Sequence, residues 1–207
     1  MPVHGRLVPR SFLARDVVAV APELIGRVVV DTDSGVAVRL TEVEAYAGPL
    51  DPASHAFRRT ARSEVMYGPP GRLYVYFIYG MHWCANVVTG PEGTASAVLL
   101  RAGEVIGGLD VAERRRPRAR RPAELARGPA GLATVLGLTG AATGSDLLAP
   151  DRRWELRAGD GAPTAVEAGP RVGVSVAVDL PWRFHERDHD SVSAFRRGTR
   201  AGRRGRV

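Results

Sequence analysis

Two glutamates two positions apart, Glu42 and Glu44, are followed at the same spacing by Tyr46 inside the run Val36–Tyr46. In an extended strand these three side chains share one face. A carboxylate framed by aromatic rings can take a proton from water or stabilise a developing cation. All five tyrosines of the chain fall between positions 46 and 79, and His55 lies in the same stretch, so the pattern reads as an electron-rich cluster around an acid. Tyr74 fits an ordinary core position, as aromatic residues at strand spacing usually do. Tyr79 does not, because it precedes Gly80 at an expected hairpin tip, where turn residues are ordinarily small and polar. An aromatic side chain protruding there is a candidate wedge for a base stack.

The elements that must position these groups follow from periodicity. The run Val36–Tyr46 alternates as far as Leu40, and unbroken parity then puts Glu42 and Glu44 where the pattern predicts core. The competing reading is that the strand leaves the core at Thr41 and the acids are solvated. Residues 27–31 pair with this strand across Thr32-Asp33-Ser34-Gly35 as a hairpin. Residues 74–79 and His82–Val88 form a second hairpin; a loop at Tyr79-Gly80-Met81 pairs Ile78 with His82, Tyr76 with Cys84 and Tyr74 with Asn86, placing Asn86 on the tyrosine face. Residues 97–102, Trp154–Arg157 and 172–178 are further strand candidates. Residues 16–25 read as a helix with Asp16 as N-cap and Gly26 as its stop. Gly128-Pro129 opens a short helix through Leu132, Val135 and Leu136 that closes at Gly137. The expected fold class is α+β: a single domain with a curved, mainly antiparallel sheet, a protruding β-hairpin and short flanking helices. Residues 1–195 are expected to form the domain and 196–207 an Arg-rich disordered tail.

Composition narrows the chemistry. The chain has 207 residues, 44% hydrophobic and 25% charged, which suits one domain able to bury a core. It has no Lys and no Gln, one Asn (Asn86) and one Cys (Cys84). One Cys excludes an internal disulfide, a thiolate zinc finger and a self-contained iron–sulfur cluster; the absence of Lys excludes a P-loop lysine and a lysine Schiff base. Net charge is +7, but Arg balances Asp plus Glu up to Glu104, and the excess lies downstream. Six Arg fall within 114–121, interrupted by Pro117, and six more within 196–206. Each group is either a solvated run or a contact for an anionic partner. His189 between Asp188 and Asp190 makes poor ligand geometry, so no metal and no cofactor is expected. No segment approaches the ~20 apolar residues of a membrane span, and no apolar run suits a signal peptide. The expectation is a cytoplasmic monomer without membrane contact.

Taken in order, Glu42-Val43-Glu44-Ala45-Tyr46, Asp51, Ser54-His55, Met66-Tyr67-Gly68-Pro69-Pro70-Gly71, Tyr74-Val75-Tyr76-Phe77-Ile78-Tyr79-Gly80-Met81, Asn86 and Leu99-Leu100-Arg101-Ala102 closely resemble the alkyladenine (3-methyladenine) DNA glycosylases of the vertebrate type. The resemblance runs from Phe12 to about Ser193, with Gly128-Pro129, Leu132 and Arg171-Val172-Gly173-Val174 supporting it. It implies a partner, double-stranded DNA with damaged purines, and a role for each matching position. Glu44 would be the general base that activates water. Arg101 and the main-chain carbonyl of Val192 would hold that water. Tyr46 on one side and His55 with Tyr76 on the other would sandwich a flipped base. Asn86 would crowd the 2-amino group of normal guanine, and Tyr79 would intercalate in the gap left in the duplex. A cationic alkylated purine stacked between such rings would gain about 1–2 kcal/mol of cation–π preference. A neutral lesion such as hypoxanthine would need a proton donor, and His55 is the nearest candidate.

The sequence departs from the family at Gly131, where a basic residue is usual, and at Asp188-His189-Asp190-Ser191, which replaces a Gly-containing turn. Two other readings stay open: a non-catalytic DNA- or RNA-binding module that stacks bases on the tyrosines and holds phosphates with Arg, and a glycosylase/lyase acting through the N-terminal amine.

Overall fold

The computed structural model describes residues 5–150, 152–159 and 165–198. Its first elements are the short helices α1 (Arg10–Leu13) and α2 (Val17–Leu24). Asp16 caps α2 as expected, its carboxylate accepting from the N–H groups of Val18 and Ala19 at 2.9 and 3.2 Å. Strands β1 (Val28–Asp31) and β2 (Val36–Tyr46) form the first hairpin, β3 (Leu73–Ile78) and β4 (His82–Val88) the second, and β5 (Ala97–Gly107) follows. The chain continues through α3 (Leu109–Arg115), α4 (Pro129–Val135), β6 (Trp154–Arg157), β7 (Val166–Gly169) and β8 (Arg183–Glu186).

The sheet order is β3-β4-β5-β2-β1-β6, with every pairing antiparallel. β2 is the fork: one edge pairs with β5, while the other pairs with β1 over residues 36–39 and with β8 over residues 42–44, β7 lying beyond β8. The main core gathers Leu13, Val20, Leu24, Val38, Leu40, Val43, Leu100, Leu132 and Leu136, all fully buried, between the sheet and helices α2 and α4. Each such side chain contributes about 1.5–3 kcal/mol relative to exposure. The expected α+β single domain is the observed one, and the second hairpin pairs Ile78 with His82, Tyr76 with Cys84 and Tyr74 with Asn86 as read from the sequence.

Several local expectations are corrected. Residues 172–178 do not form a strand: Gly173 and Ala177 take φ of 75° and 49°, and the N–H groups of Val172 and Gly173 bind the Glu44 carboxylate and the Arg196 carbonyl instead of a neighbouring strand. β5 runs five residues past Ala102, to Gly107, because its partner β2 is equally long. α3 takes Arg114 and Arg115 into its last turn and stops ahead of Pro117, which cannot continue it. β7 and β8 have little apolar alternation of their own; β8 is a strand because β2 offers it an edge, and β7 because β8 does. Of the expected tail, residues 199–207 lie outside the described residues, whereas the Arg196 carbonyl accepts from Gly173 N at 3.0 Å. Pro2 also lies outside them.

Candidate active site

The site is created by an irregularity in β2. Leu40 pairs with Gly103, Glu42 with Ala102 and Val43 with Leu100, with register shifts on both sides of Glu42. A bulge of this kind turns the strand over. Before it, Val36, Val38 and Leu40 face the core; after it, Val43 and Ala45 do. Glu42, Glu44 and Tyr46 therefore face away from that core, which corrects the unbroken parity expected from the sequence. Gly103 allows the close approach: a Cβ there would meet Val38 Cγ1 at 2.4 Å and Arg39 O at 2.5 Å. Both acids are nevertheless fully buried, so the solvated reading fails as well. They are covered by β8 and by the segments around Val172 and Ser193.

The two carboxylates have different surroundings. Glu42 accepts from Arg183 Nε at 2.7 Å, Arg101 Nε at 2.9 Å, and the Ser193 hydroxyl and N–H at 2.9 and 2.8 Å. Desolvation pushes its carboxyl up, but the Arg101 and Arg183 charges with the Ser193 N–H outweigh it and hold Glu42 below the usual range. Glu44 accepts from Val172 N at 2.7 Å and from the Tyr46 hydroxyl at 2.9 Å, and Arg101 Nη1 approaches only to 3.4 Å. Here desolvation dominates and raises Glu44. Adjacent acids pushed apart in this way can take different parts in catalysis. The sequence reading placed Arg101 on the water beside Glu44; in the structure Glu42 anchors Arg101 Nε and one guanidinium nitrogen is left toward Glu44. Nothing in the strand pattern distinguished the two acids.

The rings are held from behind. Arg171 forms a fully buried bidentate pair with Asp51, at 2.5 and 2.9 Å, and donates to the Ala45 carbonyl at 3.0 Å. Its guanidinium lies between Tyr46 and Trp182, 4.6 and 5.2 Å from their ring centroids. His55 packs edge-on to Tyr76 with centroids 4.5 Å apart, and its Nδ1 lies 3.0 Å from the Tyr74 hydroxyl. Asn86 Nδ2 donates to Tyr74 O at 3.0 Å. Arg171, Asp51 and Trp182 were not assigned site roles from sequence, although Arg171 and Asp51 lie in motifs that carried the resemblance.

The rings and Asn86 line a cavity of about 520 Å³, within the roughly 300–1,000 Å³ of small-molecule sites. Tyr46, His55, Tyr76, Tyr79, Asn86, Arg101 and Val172 form part of its wall. Glu44 lies one layer behind, touching Tyr46, Arg101 and Val172. Val192 is not on the wall: its carbonyl accepts from Arg127 Nε at 3.1 Å, and the neighbouring Ser193 serves Glu42. At the rim the hairpin tip presents Tyr79 (80% exposed), Met81 (68%) and Phe77 (47%) to solvent. Tyr79 takes a left-handed φ of 54°, uncommon for a bulky residue. His189 is engaged by Ser191 Oγ at 3.0 Å and approaches Glu104 at 3.5 Å.

A family model described as methylpurine-DNA glycosylase matches residues 11–190. The chain belongs to this family. A protein of Streptomyces avermitilis is 53% identical over 201 residues, covering 94% of each chain. One of Nocardia farcinica is 56% identical over 173 residues, covering 80% of this chain and 82% of its own. One of Burkholderia lata is 46% identical over 182 residues, covering 87% of each. All three names assign those proteins provisionally as 3-methyladenine DNA glycosylases. As a DNA glycosylase the chain is a DNA-repair hydrolase that acts on DNA. Among the described residues no helix is long and apolar enough to cross a membrane.

Proposed function

We propose that this glycosylase flips alkylated or deaminated purines of the 3-methyladenine, 7-methylguanine, hypoxanthine and ethenoadenine class out of duplex DNA and hydrolyses the N-glycosidic bond with a water activated by Glu44. The observation that carries the reading is the ring-lined cavity whose wall is backed by one buried, desolvated carboxylate. Cleavage develops positive charge on the deoxyribose, and an anion behind the wall stabilises it while taking the proton of the attacking water. The water is placed beside the Arg101–Glu44 contact, which at 3.4 Å is the loosest around that carboxylate. Tyr46, with its hydroxyl held on Glu44, stacks one face of the base, and the edge-on pair of Tyr76 and His55 closes the other side, Tyr76 against the face and His55 toward the edge. Asn86 stands on the tyrosine face of β4, where it would meet an exocyclic 2-amino group. Tyr79 at the hairpin tip fills the gap in the duplex and offsets part of the few kcal/mol that extrusion costs. Arg101 holds the water together with the Val192 carbonyl, which accepts from Arg127 Nε at 3.1 Å and keeps a second lone pair for it.

A panel of end-labelled duplexes, each with one modified purine, tests the reading. Incubation followed by alkali is expected to cut at the modified site only. Equal binding to undamaged strands with no base released would establish a binding module instead.

Burial that raises Glu44 also sets a pH dependence. The base must be anionic to act, so activity is present above the raised value and is lost as pH falls through it. Single-turnover release of 7-methylguanine, already cationic and needing no proton to leave, is expected to show an acid limb centred above the ordinary glutamate value of about 4.3. A rate independent of pH down to that value would remove Glu44 as the base.

A further inference from the structure

Arg62 takes no part in the mechanism above, yet three observations tie it to the base-binding wall. Its Nε donates to the Tyr74 hydroxyl at 3.0 Å. That hydroxyl lies 3.0 Å from His55 Nδ1. The Arg62 guanidinium also sits 5.1 Å from the centroid of the Tyr76 ring. Arg62 is exposed and has no carboxylate within ion-pair distance among the described residues.

Satisfying the Tyr74 hydroxyl hydrogen favours one direction for this chain. A phenol has one hydrogen to donate, and Arg can only donate. With Arg62 supplying a hydrogen to the Tyr74 oxygen, the Tyr74 hydrogen goes to His55 Nδ1, its only acceptor among the described contacts. His55 Nδ1 is then an acceptor, the ring is neutral, and Nε2 carries the hydrogen on the edge not used by Tyr74. The groups around His55 are Tyr74 and Tyr76 on β3 and Arg62 on the preceding loop; desolvation first, and the Arg62 charge second, hold its imidazole below the usual range.

The stacking rings carry a second consequence. Arg62 lies against Tyr76 and Arg171 against Tyr46, and neither guanidinium is on the cavity wall. Both rings thus carry a cation against them that does not itself line the cavity. A quadrupole already engaged by a positive charge attracts a cationic base less. Asp51 neutralises Arg171, whereas Arg62 has no such partner.

We infer that Arg62 is a specificity-determining residue: through Tyr74 it presents His55 as a neutral Nε2–H donor to the base, and through its charge against Tyr76 it favours neutral purines bearing an edge acceptor, such as hypoxanthine, over cationic ones. This rests on the glycosylase reading above and names the lesion class for which the same cavity is tuned.

The test compares wild type with Arg62→Gln on two otherwise identical duplexes, one with hypoxanthine and one with 7-methylguanine. The hypoxanthine to 7-methylguanine ratio of kcat/KM is expected to fall about fivefold in the variant, with an unchanged melting temperature. In parallel, ring-nitrogen NMR of the free enzyme is expected to find His55 in the Nε2–H form in wild type, and to find it protonating at higher pH in Arg62→Gln. A ratio within twofold of wild type, equal loss on both lesions, or a proton on Nδ1 in wild type would overturn the assignment. If wild type released neither base, the glycosylase reading itself would fail, while the NMR result would still decide the Arg62–Tyr74–His55 arrangement.

Discussion

Glu44→Gln is expected to lower base excision by about 10²–10⁴-fold, the usual contribution of a positioned general base, while affinity for a lesion duplex stays within a few-fold of wild type. The amide is nearly isosteric with the carboxylate. Its oxygen can keep the Val172 N–H and its NH2 can donate to the Tyr46 hydroxyl oxygen, so the two short contacts of Glu44 survive in altered polarity. Arg101 remains anchored by Glu42 at 2.9 Å. What is lost is the negative charge behind the cavity and the ability to take a proton. Single-turnover excision together with electrophoretic binding to a 7-methylguanine duplex separates the two effects. A variant that cleaves at the wild-type rate would transfer the catalytic part elsewhere, and Glu42 could not take it without releasing two arginines.

The second large effect is on stability. Arg171→Met is expected to destabilise the fold by about 3–5 kcal/mol, because it leaves the Asp51 carboxylate buried without its bidentate partner. It also removes the cation between Tyr46 and Trp182 and the donor to the Ala45 carbonyl. Adding Asp51→Leu is expected to recover much of the loss, since an apolar pair of similar volume can replace a buried ion pair at little cost. Urea unfolding of the two single variants and the double variant gives the coupling directly. A single variant costing less than about 1 kcal/mol would show that the pair does not hold this wall of the site. The excision rate of the double variant, measured well below its melting temperature, reports how far Tyr46 and the Val172 N–H depend on Arg171 rather than on Asp51.

Legibility differed between elements for identifiable reasons. The β1–β2 and β3–β4 hairpins were readable because alternation, β-branching and short Gly-containing turns act locally. The Tyr74–Asn86 pairing followed from loop length alone. The Asp16 cap and the Pro129 start of α4 are likewise local signals. β8 was not readable, because its hydrogen bonds are set by an edge that β2 provides from more than a hundred residues away, and β7 depends in turn on β8. The same distance explains the mistaken strand at residues 172–178: an apolar alternating run was recognised, but a side-chain carboxylate of β2 competes for its backbone.

For the site, residue types and their order in the chain determined which groups could act: the acids of β2, the tyrosines, His55, Asn86 and Arg101, and through their resemblance to a family, the reaction. The resemblance also singled out Glu44; only the tertiary structure shows how the surroundings of the two acids differ. The bulge opposite Gly103 turned both glutamates away from the core. Arg101, Arg183 and Ser193 then converged on Glu42, leaving Glu44 with the dehydrated position. Charge and desolvation depend on what surrounds a carboxyl in space, and those neighbours reach Glu42 and Glu44 from segments up to 151 residues apart in the chain, where no local pattern could announce them.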